Sequence, residues 1–158
     1  MPRGATPPRT RRAAIFAAGA AATALLPDAL DLCFEWTPAL VGATYAAAAL
    51  SEGRKGGYWA TAIVLLTWGA GVLAYVHLLD APAAGIYAVA FGLAVVLAHE
   101  LDRGGYEISM LGVGATIAAA GVFLIFEREW ELLRETESYA VVLAAVALVN
   151  LVLAARRR

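Results

Sequence analysis

The sequence predicts an all-α fold: a polytopic integral membrane bundle of six transmembrane helices, built around a duplicated helical hairpin. Three observations carry that reading. The 158 residues are 61% apolar and only 16% charged, with a mean hydropathy of +0.71, which is more apolar surface than a soluble domain of this length can hide. The apolar residues fall into six runs separated by short charged or Gly/Pro-bearing connections. One of those connections occurs twice, as Glu52-Gly53-Arg54-Lys55-Gly56-Gly57-Tyr58 and as Glu100-Leu101-Asp102-Arg103-Gly104-Gly105-Tyr106, 48 positions apart and each time between two apolar runs.

Residues 1–12 hold Pro7, Pro8, Arg3, Arg9, Arg11 and Arg12. Such a segment has little apolar area to bury and is expected to be a disordered basic arm. The Ala-rich run from Ala13 to Leu26 closes at Pro27. Arg11-Arg12 ahead of it also has the form of an export signal, but five more apolar runs follow and no exported domain does, so it is read as a retained first helix. The second span starts at Trp36-Thr37-Pro38, with Thr37 as a cap and Pro38 in the first turn. It ends at Leu50 and is short, about 15 residues against the ~20 that cross a typical bilayer.

The third span, Tyr58 to Leu79, carries no charge and has His77 near its end. Asp80-Ala81-Pro82 makes a tight turn into a fourth span ending at Ala98, and a fifth runs from Ile108 to Phe126. The acidic segment Glu127 to Glu137 places Phe126, Trp130 and Leu133 at helical spacing. It is expected to prolong the fifth helix or to lie in the interface. The sixth span is Ser138 to Ala155, and residues 156–158 form a basic tail. One six-helix domain therefore covers residues 13–155, with hairpin repeats at about 36–79 and 80–126.

Charge gives the orientation independently of hydropathy. With the amino terminus inside, six spans place ten of the twelve basic residues within, leaving only Arg128 and Arg134 outside, while nine of the thirteen acids fall outside. Because Lys and Arg in short loops set orientation, both termini are expected in the cytoplasm of a cell-membrane protein. An odd number of spans would break the asymmetry.

The repeated turn has a structural reading. Gly56-Gly57 and Gly104-Gly105 supply positive φ at a tight connection. Tyr58 and Tyr106 then sit at the interface, and Arg54, Lys55 and Arg103 face the anionic leaflet. If the hairpins are duplicates, each opening with a proline (Pro38, Pro82), they are related by a pseudo-two-fold axis along the membrane normal.

A candidate ion or proton path is formed by Glu52 and Glu100 at equivalent depth, with His99 beside one of them. The plainer alternative is that both acids end their helices in the headgroup zone, paired with Arg54 and Arg103. Asn150 is the one amide inside a span and is either a substrate contact or a helix–helix hydrogen bond. His77 and His99 fall on opposite sides and cannot share a haem or a metal. Small residues at spacing four, Gly42 with Ala46, Gly114 with Ala118, and Ala14 with Ala18 and Ala22, predict close helix packing.

Other chemistry finds no motif. The chain has no phosphate loop, nucleophile elbow or zincin helix. Cys33 is a lone cysteine and the basic tails are too short to argue for nucleic acid. No enzyme activity, cofactor or metal is expected. The expected partners are the lipid bilayer and either further copies of the chain or another membrane protein. Two functions follow: an oligomeric transporter or channel for a small solute or ion, or a non-catalytic structural or accessory subunit of a larger membrane complex.

Overall fold

The computed structural model describes residues 8–78, 82–126, 130, 133 and 135–155. Six helices account for most of them: α1 Pro8–Leu30, α2 Thr37–Glu52, α3 Trp59–His77, α4 Ala83–Arg103, α5 Met110–Phe126 and α6 Thr136–Ala155. No strand occurs among the described residues.

The helices alternate in direction, and contacts between ends far apart in sequence establish it. At one end, Arg9 Nη1 donates to the Leu153 carbonyl at 3.0 Å, joining the start of α1 to the end of α6. Arg12 pairs there with Glu52, joining the start of α1 to the end of α2. The Glu107 N–H donates to the Arg54 carbonyl at 2.9 Å, joining the two repeated turns. At the other end, the Thr37 and Thr136 hydroxyls lie 3.2 Å apart and the Phe34 and Tyr139 rings 5.9 Å apart. The first of these ends, which carries Arg9, Arg11, Arg12, Arg54, Lys55 and Arg103, is termed the basic end below.

Four helices, α1, α3, α4 and α6, are long and apolar enough to cross a membrane. α2 and α5 have 16 and 17 residues, roughly 24–26 Å at ~1.5 Å per residue against a hydrocarbon core of ~30 Å. The 3₁₀ turns Phe34–Trp36 and Gly53–Lys55 extend α2 at both ends.

Both boundaries of α1 differ from the sequence expectation, and α4 runs on past Ala98 to Arg103. α1 begins at Pro8, so Arg9, Arg11 and Arg12 belong to a helix rather than to a disordered arm of residues 1–12; residues 1–7 lie outside the described residues. Packing against α2 and α6 gives Arg9 and Arg12 partners that composition could not foresee, while Arg11 is exposed. α1 also continues through Pro27 to Leu30 and ends where Asp31 takes φ 51°, with the Leu32 N–H donating to the Pro27 carbonyl at 2.8 Å. That six-to-one bond with a left-handed residue inside it is the Schellman ending, so Asp31 stops the helix and Pro27 does not. Thr37 forgoes the capping role and faces Thr136 instead.

Side-chain size is sorted with the small residues inside. More than half of the buried apolar residues are alanine, whereas Leu93, Leu97, Leu111, Val122, Val141 and Val149 point outward. In lipid, large apolar side chains gain nothing by turning inward, and small ones let backbones meet. On α4 this gives Ile86, Ala90, Ala94 and Ala98 facing inward at spacing four. A Cβ on Gly42 would lie 2.9 Å from the Leu66 nitrogen, and one on Gly69 would lie 2.6 Å from the Ala39 nitrogen. α2 and α3 thus touch backbone to backbone. By contrast Gly114, Ala118, Ala14 and Ala18, expected as packing positions, are exposed within one copy of the chain.

The core forms two groups of three helices. Phe16, Ala20, Ala48, Leu143 and Ala147 join α1, α2 and α6. Ala60, Val64, Ala94, Ala98 and Val113 join α3, α4 and α5. This division cuts across the proposed hairpins: α2 packs closely on α3, while α4 meets α3 far more than it meets α5. Duplicated hairpins about a pseudo-two-fold axis would pack alike, and these do not.

Candidate functional site

The charged residues singled out from sequence collect at the basic end, in two clusters. The first is built on α1. One and a half turns into that helix, Arg12 reaches the Glu52 carboxylate at the end of α2 and lies 5.6 Å from the centre of the Tyr58 ring. The Glu52 side chain is only 11% exposed and that of Arg12 29%. Beneath them Phe16, Tyr45 and Tyr58 meet edge to face in all three pairings, with centroids 5.1, 5.4 and 5.7 Å apart. Phe16 is fully buried. A guanidinium over a ring, locked by a carboxylate and seated on aromatic edges, is a rigid arrangement.

The second cluster joins the two turns. Arg54 lies 5.4 Å from the centre of the Tyr106 ring, and Trp59 meets that ring edge-on at 5.1 Å. Trp59 Nε1 donates to the Gly53 carbonyl at 3.0 Å. Lys55 and Glu107 make an exposed pair at 3.6 Å. Each tyrosine of the repeated sequence is therefore covered by an arginine from an earlier part of the chain, Arg12 for Tyr58 and Arg54 for Tyr106.

The two glutamates of the candidate path take different partners. Glu52 bonds Arg12 and not the neighbouring Arg54, which corrects one alternative read from the sequence. Glu100 bonds Arg103 at 3.3 Å, one helical turn away, and is exposed. His99 beside it is exposed as well, and His77 stands at the opposite end of the bundle; Asp80 lies outside the described residues. Asn150 is 8% exposed, and its Nδ2 donates to the Val146 carbonyl of its own helix at 2.9 Å. Among the described residues no group of three His, Cys, Asp or Glu side chains could hold a metal.

The two Gly-Gly sequences have different backbones, contrary to the expectation from their identity. In the second turn Gly105 has φ +86°, the Tyr106 N–H donates to Leu101 and the Gly105 N–H to Asp102, at 3.1 and 3.0 Å. This is a Schellman motif with glycine at its left-handed position. Asp102 Oδ1 then accepts the Ile108 N–H at 3.3 Å. In the first turn the positive φ, +77°, falls on Gly53, which ends α2 three residues before the glycine pair. Gly56 is required for space, since a Cβ would stand 2.7 Å from the Ala49 carbonyl oxygen, while Gly57 is in the open. Gly105→Ala is expected to cost about 1–2 kcal/mol through the left-handed backbone, read as a lower thermal midpoint in detergent. Gly57→Ala is expected to leave the midpoint unchanged.

Sequence reasoning missed Arg12 and Phe16. The signal available was the threading itself, which places the start of α1 beside the end of α2, but ten basic residues share that side and nothing in the pattern selects one.

This architecture is that of a multi-pass all-α membrane bundle, with the described arginines and lysine gathered at one end and a core in which alanine predominates. No known protein-family model, curated protein or solved structure matches the chain.

Proposed function

We propose that the chain is a non-catalytic structural or accessory subunit of the cell membrane, with its basic end in the cytoplasm, joined to copies of itself or to a larger membrane complex through its outward faces. The observation that carries this reading is the interior. A solute path needs polar groups or water along its length. Here the Thr44, Thr67 and Thr116 hydroxyls and the Asn150 amide bond carbonyls of their own helices; the buried Thr23 hydroxyl and Trp68 Nε1 are isolated polar atoms. Alanine makes up most of the buried apolar residues between helices, with aliphatic and aromatic side chains such as Phe16, Val64, Trp68 and Leu143. The basic residues at one end support the cytoplasmic orientation.

The reading as an oligomeric transporter or channel draws less support, because Glu52 is held by Arg12 and Glu100 faces outward. Proteoliposomes holding the purified chain are expected to pass protons and potassium no faster than empty vesicles. A saturable flux that Glu52→Gln and Glu100→Gln abolish would overturn the proposal. Native mass measurement of the detergent-extracted chain is expected to show a multimer or a co-purifying membrane protein; a solitary monomer counts against it.

A further inference from the structure

A groove of about 510 Å³ lies along the flank of α6, beside the start of α1, within the ~300–1,000 Å³ range of small-ligand clefts. Its lining changes character along its length. At the basic end stand Arg9, Arg12 and the Tyr58 ring; beyond them the wall is Val149, Val146 and Val142, interrupted by Asn150. From Leu153, where Arg9 binds the carbonyl, to Val142 is eleven residues of helix, about 16 Å at ~1.5 Å per residue. That is half of a ~30 Å hydrocarbon core. The groove therefore has the depth of a single leaflet.

We infer that this groove binds one anionic phospholipid, with its phosphate at Arg9 and Arg12 and an acyl chain along Val149, Val146 and Val142. The inference rests on the bilayer placement and not on what the bundle does there. Charge selects the occupant. Arg12 is engaged by Glu52 through Nε, and Arg9 uses one N–H on the Leu153 carbonyl; a guanidinium has five N–H donors, so both keep donors for a phosphate. With Glu52 balancing one of the two cations, the mouth carries a net positive charge. A zwitterionic headgroup brings its own ammonium to that place and gains less. Tyr58, held beneath Arg12, gives the upper chain a flat apolar contact with a polar tip at headgroup depth.

The test uses the unmodified chain in mild detergent, titrated with phosphatidylglycerol or phosphatidylcholine of matched chains and read by native mass spectrometry. One phosphatidylglycerol is expected to bind about tenfold more tightly than phosphatidylcholine, in line with the attraction of basic residues for anionic lipid. Phosphatidylglycerol with a photoreactive acyl chain is expected to label residues 142–153. Val149→Trp, which fills the groove, is expected to remove the bound lipid, whereas Val122→Trp on the outward face of α5 keeps it. Equal retention of the two lipids, or label spread over the outward faces of α4 and α5, would overturn the site; both are read on the unmodified chain, whatever becomes of the variant. A chain recovered from the cytosol without detergent would instead refute the bilayer placement itself.

Discussion

Gly69→Ala is expected to destabilise the bundle by about 2–3 kcal/mol, although it adds a single methyl group and swaps a poor helix former for the best one. The added carbon would stand 2.6 Å from the Ala39 nitrogen, 2.8 Å from its Cα and 2.9 Å from its Cβ. The first two are backbone atoms of α2 and cannot rotate out of the way. α3 must therefore retreat, and the contact one face further along is lost with it, since Gly42 of α2 sits against the Leu65 and Leu66 backbone of α3. Overpacking a close-fitted interior costs about 1–3 kcal/mol, and this interface joins the two three-helix groups, so the upper part of that range applies.

The same substitution in open space should have the opposite sign. A Cβ at Gly92 or Gly114 meets no atom within 4 Å, and replacing a helical glycine there removes backbone freedom from the unfolded chain, a gain of about 0.4–1 kcal/mol. Thermal unfolding of Gly69→Ala, Gly92→Ala and Gly114→Ala in one detergent, followed by circular dichroism, checks both signs. Equal midpoints for the three would mean that α2 and α3 do not meet backbone to backbone at Gly69 and Ala39.

That contrast also marks what the residues disclosed in advance. Helix number and alternation were readable because a bilayer demands long apolar runs and admits few alternatives to helices within them, and because Arg and Lys betray the side on which a run ends. Which face of each run points inward was not readable. A helix that is apolar all round carries no amphipathic stripe, so Gly42 and Gly114 look alike in sequence, yet Gly42 lies against α3 and Gly114 faces outward. The repeated turns misled for a related reason. Identical Gly-Gly-Tyr endings follow helices that stop at different places, Glu52 in one and Arg103 in the other, so the glycines meet different backbones. Pairing was hidden as well: Glu52 has Arg54 two positions away in sequence, but its partner comes from a helix forty residues earlier, brought near only by the packing of α1 on α2.

Arg12→Gln is expected to cost about 3 kcal/mol, more than its share of any surface ion pair. Exposed pairs such as Lys55 with Glu107 contribute ~0–1 kcal/mol because water solvates either member alone. The Glu52 carboxylate is nearly enclosed, so removing the guanidinium strands a charge with little water to replace it, and breaking a buried pair from one side costs about 3–5 kcal/mol. The figure is set at the lower end because Arg12 itself is partly open to solvent. Loss of the guanidinium over the Tyr58 ring adds to the effect. Glu52→Gln should be milder, since it leaves a neutral amide in the enclosed position and Arg12 can still reach water. In the double variant the stranded charge is gone, so the two costs should not add: stability is expected to recover most of the Arg12→Gln loss, with a coupling of about 2 kcal/mol. A thermodynamic cycle over the four proteins, unfolded under the same conditions, measures that coupling directly. Additive losses would mean that Arg12 and Glu52 act independently, and the junction of α1 with α2 would then rest on Phe16 and the tyrosines alone.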